Sequence, residues 1–464
     1  MATSSKTRTD EVVALCGCSL THGPGGSEEL FQMGLDLDPD FVAQDAGSCD
    51  CGPAFLGSGE PMGTRIGLKQ SLDIMVRGTR AKNIPLIIGS VGIAGAWPQV
   101  LLFRDIIEEV AREQGLHFRI ALINSDVDKG WLKGKVRAGK VKPLAVVPPL
   151  TEGEVERSCR IVAMMGVEPI IQALEGGADV IVAGRSSDSA LFAAIPIMRG
   201  FDPGFAWHAG KIIECGALCT QPVEGVTTSV LARIRKDHFV IEPTHPEGLC
   251  TVPRVAAHTL YGNLDPYLMP EPGAITDASE SEFEQVRNGV KVSGSRHIPQ
   301  PYTVKLEGAE MVGYRTITIA SIRDPYLLSR IDEFLERGEA YVHRGVAGLG
   351  ISSDDYKFFY RVYGKGDETM RPWNLKEVAT SPREVCIIGE CIAKTQEMAK
   401  TVMNFGHLSL LHQQFPGQLC SAGSAAFPFS PHDIDMGAAY RFNIWHVVEL
   451  DDPLETFSIE MVDV

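Results

Sequence analysis

The first half of the chain is a series of short apolar runs, each breaking abruptly into small and polar residues. Glu11–Ser19 (EVVALCGCS), Phe41–Asp50 (FVAQDAGSCD), Pro85–Gly95 (PLIIGSVGIAG), Arg119–Asp128 (RIALINSDVD) and Asp179–Asp188 (DVIVAGRSSD) all follow this pattern. In the last of them Val180, Ile181 and Val182 are apolar and β-branched on successive positions, which suits a strand covered on both faces. Gly184 ends that strand, and Ser187 or Asp188 is placed to cap a helix directly after it. Helical periods lie between the runs. In Gln99–Gly115, Val100, Leu101, Ile106, Ile107 and Val110 gather on one side, and Gly153–Gly177 reads as a second long helix. Strand alternating with helix predicts an α/β domain over residues 1–290, with a mostly parallel open sheet and helices on both faces.

The pattern changes after that. Ser279–Pro301 is polar and turn-rich and reads as a linker. Tyr302–Gly308, Gly313–Ile322, Asp355–Gly364 and Glu384–Ala393 read as strands, with helices over Asp324–Val342 and Thr395–His412. Residues 291–464 are therefore expected to form a smaller α+β domain. Phe415–Asn443, rich in glycine and serine, reads as a long loop and a candidate lid, with His432 and Asp433 on it.

Composition adds exclusions. The 464 residues carry 43 basic against 59 acidic side chains, a net charge of −16, which argues against nucleic-acid or acidic-membrane partners. No apolar run approaches the roughly 20 residues a membrane helix needs, the best candidate being broken by Arg185 and Asp188. The opening residues lack a secretory layout, and 11 scattered cysteines fit a reducing compartment, so a cytoplasmic location is expected.

If the sheet is parallel, the polar residues after each strand converge on one rim, where such folds bind ligands. They are Cys16, Cys18 and Ser19; Asp45, Ser48, Cys49 and Asp50; Ser90; Asn124, Ser125 and Asp126; and Arg185, Ser186 and Asp188. Each taken singly is also an ordinary turn former or helix cap. Arg185 beside a helix N-terminus is an expected anion site, and Asp188 is either the cap or a substrate contact. Gly89, Gly92 and Gly95 do not have the G-x-G-x-x-G spacing, and no Walker motif or nucleophile elbow is present. Cys49 and Cys51 lack zinc spacing, so no metal ligands and no cofactor are assigned, although a divalent metal stays open. Trp207–Cys219 (WHAGKIIECGALC) places His208, Lys211 and Glu214 on one side of a helix in a small apolar setting. The expected proton-transfer groups are Asp45, Asp188, His208 and Glu214. Arg185 and Lys211 are expected to bind charge, with Ser19, Ser48, Ser90, Asn124, Ser125, Asp126 and Ser186 as further substrate contacts. His245 and His258 are expected to be structural.

Taken together, the blocks GRSSDSALFAA, WHAGKIIECGALC, HPEGLCTVPRVAAHTLY, VKLEGAEMVGYR and LLHQQFPGQLCSAGSAAFPFSPHDI make the chain resemble the acyclic terpene utilisation protein A family, from about residue 12 to 450. The resemblance implies a role in degrading branched or terpenoid carboxylic acids, as free acids or CoA thioesters. Longer members carry a C-terminal ferredoxin-like domain not seen in this sequence, which implies a small separate ferredoxin-like partner subunit and a homo- or hetero-oligomer. The expected activity is that of a lyase, a hydratase or dehydratase of a small branched or multi-carboxylate acid or its CoA thioester. The alternatives are a phosphate- or nucleotide-binding transferase and a non-catalytic scaffold subunit for a small partner.

Overall fold

A computed structural model of the protein describes residues 9–18, 27–221, 223, 229–365, 383–419, 421 and 424–464. The five apolar runs become five adjacent parallel strands, in the spatial order Glu11–Cys16, Phe41–Asp45, Leu86–Gly89, Val180–Ala183 and Arg119–Asn124. Their continuous apolarity has a direct cause. Val13, Leu15, Val42, Leu86, Ile88, Val180 and Val182 enter one core with Leu72, Met75, Phe103, Ile106 and Ile107 of the helices Arg65–Lys82 and Trp97–Gln114. The alternate residues Val12, Ala14, Ala43, Ile87, Ile181 and Ala183 face a second core, built by Ala190–Met198 and Pro203–Ile213. Successive side chains of a strand point to opposite faces, so a strand sandwiched between helix layers must be apolar at both parities. In the Trp97–Gln114 helix Phe103, rather than Leu101, completes the buried face.

The sheet as a whole is mixed, not mostly parallel. Val230–Arg235, Phe239–Pro243, Gly289–Ser293 and Glu282–Val286 extend it antiparallel beyond Glu11–Cys16, and Ser458–Asp463 lies antiparallel on Arg119–Asn124 at the other edge. Antiparallel neighbours need only tight turns, so these strands could be added without the helical crossovers that mark the parallel centre. Two of them fall in Ser279–Pro301, which is therefore not a linker. It forms the hairpin Glu282–Val286/Gly289–Ser293 and the strand Arg296–Pro299, which pairs with Ala274–Asp277 beside Leu268–Glu271.

Gly153–Gly177 is not one helix either. Thr151 and Glu154 form a capping box that starts Glu152–Arg157. The chain then becomes the strand Ser158–Ala163 before Glu168–Glu175 resumes as helix. That strand pairs antiparallel with Leu306–Glu310. The partner lies well over a hundred residues away, out of reach of any local periodicity.

Two compact units are present. One comprises residues 1–310 and 442–464, so residue 290 falls inside it; the other is 311–441. Thr303–Ile322, read above as two strands, is one continuous strand that enters the second unit at Met311. In that unit Tyr314–Ile322, Val385–Ala393 and Tyr356–Tyr363 are antiparallel, covered by the helices Ile331–Gly348 and Gln396–His412. The expected lid is partly strand, Asp433–Glu449. Asp433 accepts from His407 Nδ1 at 2.8 Å, and the His432 ring lies against Phe427 with centroids 4.5 Å apart, all within the second unit. Among the described residues no helix is long and apolar enough to cross a membrane.

Candidate active site at the carboxyl ends of the parallel strands

Arg185 follows the Val180–Ala183 strand and is buried. Its backbone N–H donates to Ser125 Oγ at 2.6 Å, and that hydroxyl donates to the Gly95 carbonyl at 3.0 Å. The strand ends are packed so closely here that a Cβ on Gly95, which sits at φ 65°, would come within 2.2 Å of the Arg185 nitrogen. This glycine closes the strand ends against each other and does not open a path to a ligand. Two nitrogens of the guanidinium are engaged. Nε donates to Glu307 Oε2 at 2.7 Å, and Nη1 donates to Ser90 Oγ at 3.0 Å, to the Ser186 carbonyl at 2.9 Å and to Asp188 at 3.4 Å. Glu307 is 1% exposed and also pairs with Lys305 at 2.8 Å, whose ammonium lies 4.1 Å over the Trp445 ring. Burial alone would raise the Glu307 carboxyl, but Arg185 and then Lys305 outweigh it and hold the group at about 2.

Arg185 is thus the cation of a buried ion pair. This partner was not legible in the sequence, because Glu307 lies on a strand 122 residues away. A transferase reading that relied on Arg185 and the nearby glycines for phosphate gains nothing from this arrangement. Neither Ser187 nor Asp188 caps the helix that follows, whose N-cap is Ser189 without a side-chain cap bond. Asp188 is instead a partly exposed carboxylate with one contact to Arg185.

Most of the other rim residues finish turns. Ser90 and Ser186 are fully buried and bond to each other's backbone. Ser48 accepts from the Asp50 N–H, Asn124 accepts from the Asp126 N–H at 2.9 Å, and Asp126 accepts from the Trp97 N–H at 2.8 Å, at the start of a helix. Ser19 lies outside the described residues. His208 is not a proton donor facing a site. It is fully buried, with Nδ1 2.7 Å from Ser295 Oγ, Nε2 3.0 Å from Thr259 Oγ1, and Phe239 and Phe283 edge-on to the ring. Burial holds it down at about 3. The helical spacing of His208, Lys211 and Glu214 was read correctly, but the first points into the core.

The remaining acidic residues come together. Asp45, at the end of its strand, is raised by burial and then by the charges of Asp188 and Glu214, against which Arg185 and the Gly47 N–H act. Glu214 follows the Pro203–Ile213 helix, is 5% exposed, and is pushed up to about 8 by burial and Asp188 although Lys211 donates to it at 2.5 Å. The sequence reading missed a further member, Glu271. It arrives from the Leu268–Glu271 strand and accepts from Ser187 Oγ at 2.5 Å. Burial raises it to about 7, against hydrogen bonds from Ser187 and Ser189 and the charge of Lys211, with Asp188 adding to the rise. Nothing around Glu271 in the sequence marks it, since it sits beside Pro272 and Gly273 at a hairpin turn. Asp188 acts electrostatically on Asp45, Glu214 and Glu271 alike. With Glu307 included, five carboxyl groups are balanced by three cations, Arg185, Lys211 and Lys305. Fully ionised, the cluster would carry surplus negative charge in a low-dielectric setting, and its economical responses are to hold protons or to bind cations.

Beside Lys211, Glu214 and Cys215 lie close to His258 of the Val252–Leu260 helix, and Tyr261 stacks on the His258 ring at 5.3 Å. Glu214, Cys215 and His258 are the described residues whose donor set suits a metal ion.

Compared with known proteins, residues 67–420 match the model of the acyclic terpene utilisation family protein AtuA. No curated protein and no solved structure matches the chain.

Proposed function

The chain belongs to the acyclic terpene utilisation family AtuA, and from that premise we propose that it is a hydro-lyase of terpene catabolism, adding water to or removing it from a branched carboxylic acid or its CoA thioester. The observation that carries the reading is Glu271: a carboxyl group raised to about 7, held by Ser187 and facing Asp188 and Lys211. A carboxyl group that changes protonation near neutrality, next to a second carboxylate and a lysine, is a device for moving protons.

In the dehydration direction, Asp188, partly open to solvent, accepts the proton from the carbon next to the substrate carbonyl. The Lys211 ammonium steadies the enolate oxygen, and Glu214 holds Lys211 in place. Protonated Glu271 gives its proton to the departing hydroxyl, which leaves as water. One carboxyl group gains a proton and the other loses one, so the cluster's total charge is unchanged across the step. Hydration runs the same sequence backwards. Asp45, itself raised by burial, is the second store of a proton next to Asp188.

The reading places the protein in the cytoplasm, acting with a small ferredoxin-like partner subunit in an oligomer. Its test is incubation with unsaturated and 3-hydroxy branched acids and their CoA thioesters in heavy-oxygen water, with and without that partner. Incorporation of heavy oxygen into product supports it. No exchange with any substrate in either condition removes it.

A further inference from the structure

We propose that Glu214, Cys215 and His258 form a binding site for one zinc-class divalent cation. One carboxylate oxygen, one thiol sulfur and one imidazole nitrogen lie within 4.8 Å of one another. Three protein ligands of this mixed kind, with a fourth position left open, make up the donor set of a catalytic rather than a structural zinc site. Bonds of about 2.0–2.3 Å to a central ion bring such atoms within about 4 Å of each other, so the three ligand atoms draw closer together when the ion binds.

A second observation points to a ligand independently of the spacing. His258 is 6% exposed, and its Nε2 has no hydrogen-bond partner among the described residues. A buried ring nitrogen left unpaired costs about 1–3 kcal/mol unless something binds it. Tyr261, stacked nearly parallel at 14°, fixes the plane of the ring.

Local fields favour a cation as well. Glu214 is the C-cap of one helix and His258 lies in the last turn of another, so the negative ends of two helix dipoles meet at the three ligands. Lys211 occupies one oxygen of Glu214 and leaves the other for the ion. The surplus of carboxyl groups accommodates both cations. A thiol and an imidazole together select a borderline metal such as zinc or cobalt over magnesium or calcium. When the ion binds, the Cys215 S–H bond breaks, the proton passes to solvent and sulfur coordinates as thiolate.

The site does not depend on the reaction proposed above, and its test needs no turnover. Metal-stripped protein is titrated with Co2+ alone and followed by absorption, with bound metal counted after gel filtration. The expected result is about one equivalent bound with a thiolate-to-cobalt charge-transfer band. Cys215→Ser loses the band, and His258→Gln weakens binding by at least about tenfold. Cys51→Ser, which removes an exposed thiol, changes neither. X-ray absorption on zinc-loaded wild-type protein, which requires no variant to fold, shows one sulfur in the first shell. No uptake, a complex without the band, or a band undiminished in Cys215→Ser overturns the site. Such a failure leaves the roles of Glu271 and Asp188 untouched, whereas a metal-loaded protein that exchanges no oxygen speaks only against the hydro-lyase.

Discussion

Replacing Arg185 with alanine strips a carboxylate that is 1% exposed of its arginine partner and removes one of the donors to Ser90 Oγ and to the Ser186 carbonyl. Removing one side of a buried ion pair costs about 3–5 kcal/mol, because the other charge stays in low dielectric uncompensated. The carboxyl's own displacement supports the same scale. Glu307 is held at about 2 against an unperturbed 4.5, and a shift of that size corresponds to roughly 3 kcal/mol, shared between Arg185 and Lys305. In a unit of about 330 residues the melting entropy is roughly 0.7 kcal/mol per kelvin, so the variant should melt about 4–7 °C lower.

The pH dependence follows from the direction of the shift. A depressed carboxyl contributes its full stabilisation above its unfolded value near 4.5 and loses it as pH falls towards about 2. Urea titrations should therefore show the largest deficit for Arg185→Ala at neutral pH and a shrinking one below pH 4.5. An Arg185→Met/Glu307→Met double variant should recover most of the loss, since a buried pair exchanged for apolar side chains is often neutral or better. The assay that decides is substrate affinity beside thermal melting. Unchanged melting with weakened substrate binding would refute the structural assignment and return Arg185 to the anion site its sequence context suggests.

Three other outcomes are expected. Glu271→Gln should cut turnover by at least about a hundredfold while the protein stays folded. The same group, raised to about 7, favours folding fully below its unfolded value near 4.5 and loses that contribution as pH rises through 7, so the wild-type melting temperature should fall across this range more than the variant's. A variant with wild-type turnover and an unaltered melting profile would count against Glu271 in both respects. His208→Ala should cost about 2–4 kcal/mol, measured by urea denaturation, by leaving a cavity between Phe239 and Phe283 and removing the ring-nitrogen partners of Ser295 and Thr259, with activity per folded molecule retained. Selective loss of activity there would restore it as a proton donor. Gly95→Ala should fail to accumulate as folded protein, because its Cβ collides with the Arg185 backbone and the residue must hold a positive φ; circular dichroism on the soluble fraction checks this.

Local pattern alone determined the centre of this protein. Apolar runs of four to six residues, doubly covered and closed by small residues, identified all five parallel strands, because a strand between two helix layers writes its burial into every position. The end-of-strand residues Asp45, Arg185 and Asp188 were legible for the same reason: the parallel connection brings those ends to one edge. Pairing with distant segments was not legible. Ser158–Ala163 is a strand only because Leu306–Glu310 lies beside it, and the antiparallel edges exist only because hairpins far along the chain return to the sheet. The chemistry of individual side chains was decided at the same level. His208 and Lys211 lie one turn apart on one helix, yet one faces phenylalanines and the other faces carboxylates. Glu307 gave Arg185 a buried partner from a distant strand, and Glu271 entered the cluster from a hairpin with no local signal. A pKa depends on burial and on charges a few ångströms away, and the chain brings those neighbours from anywhere along its length.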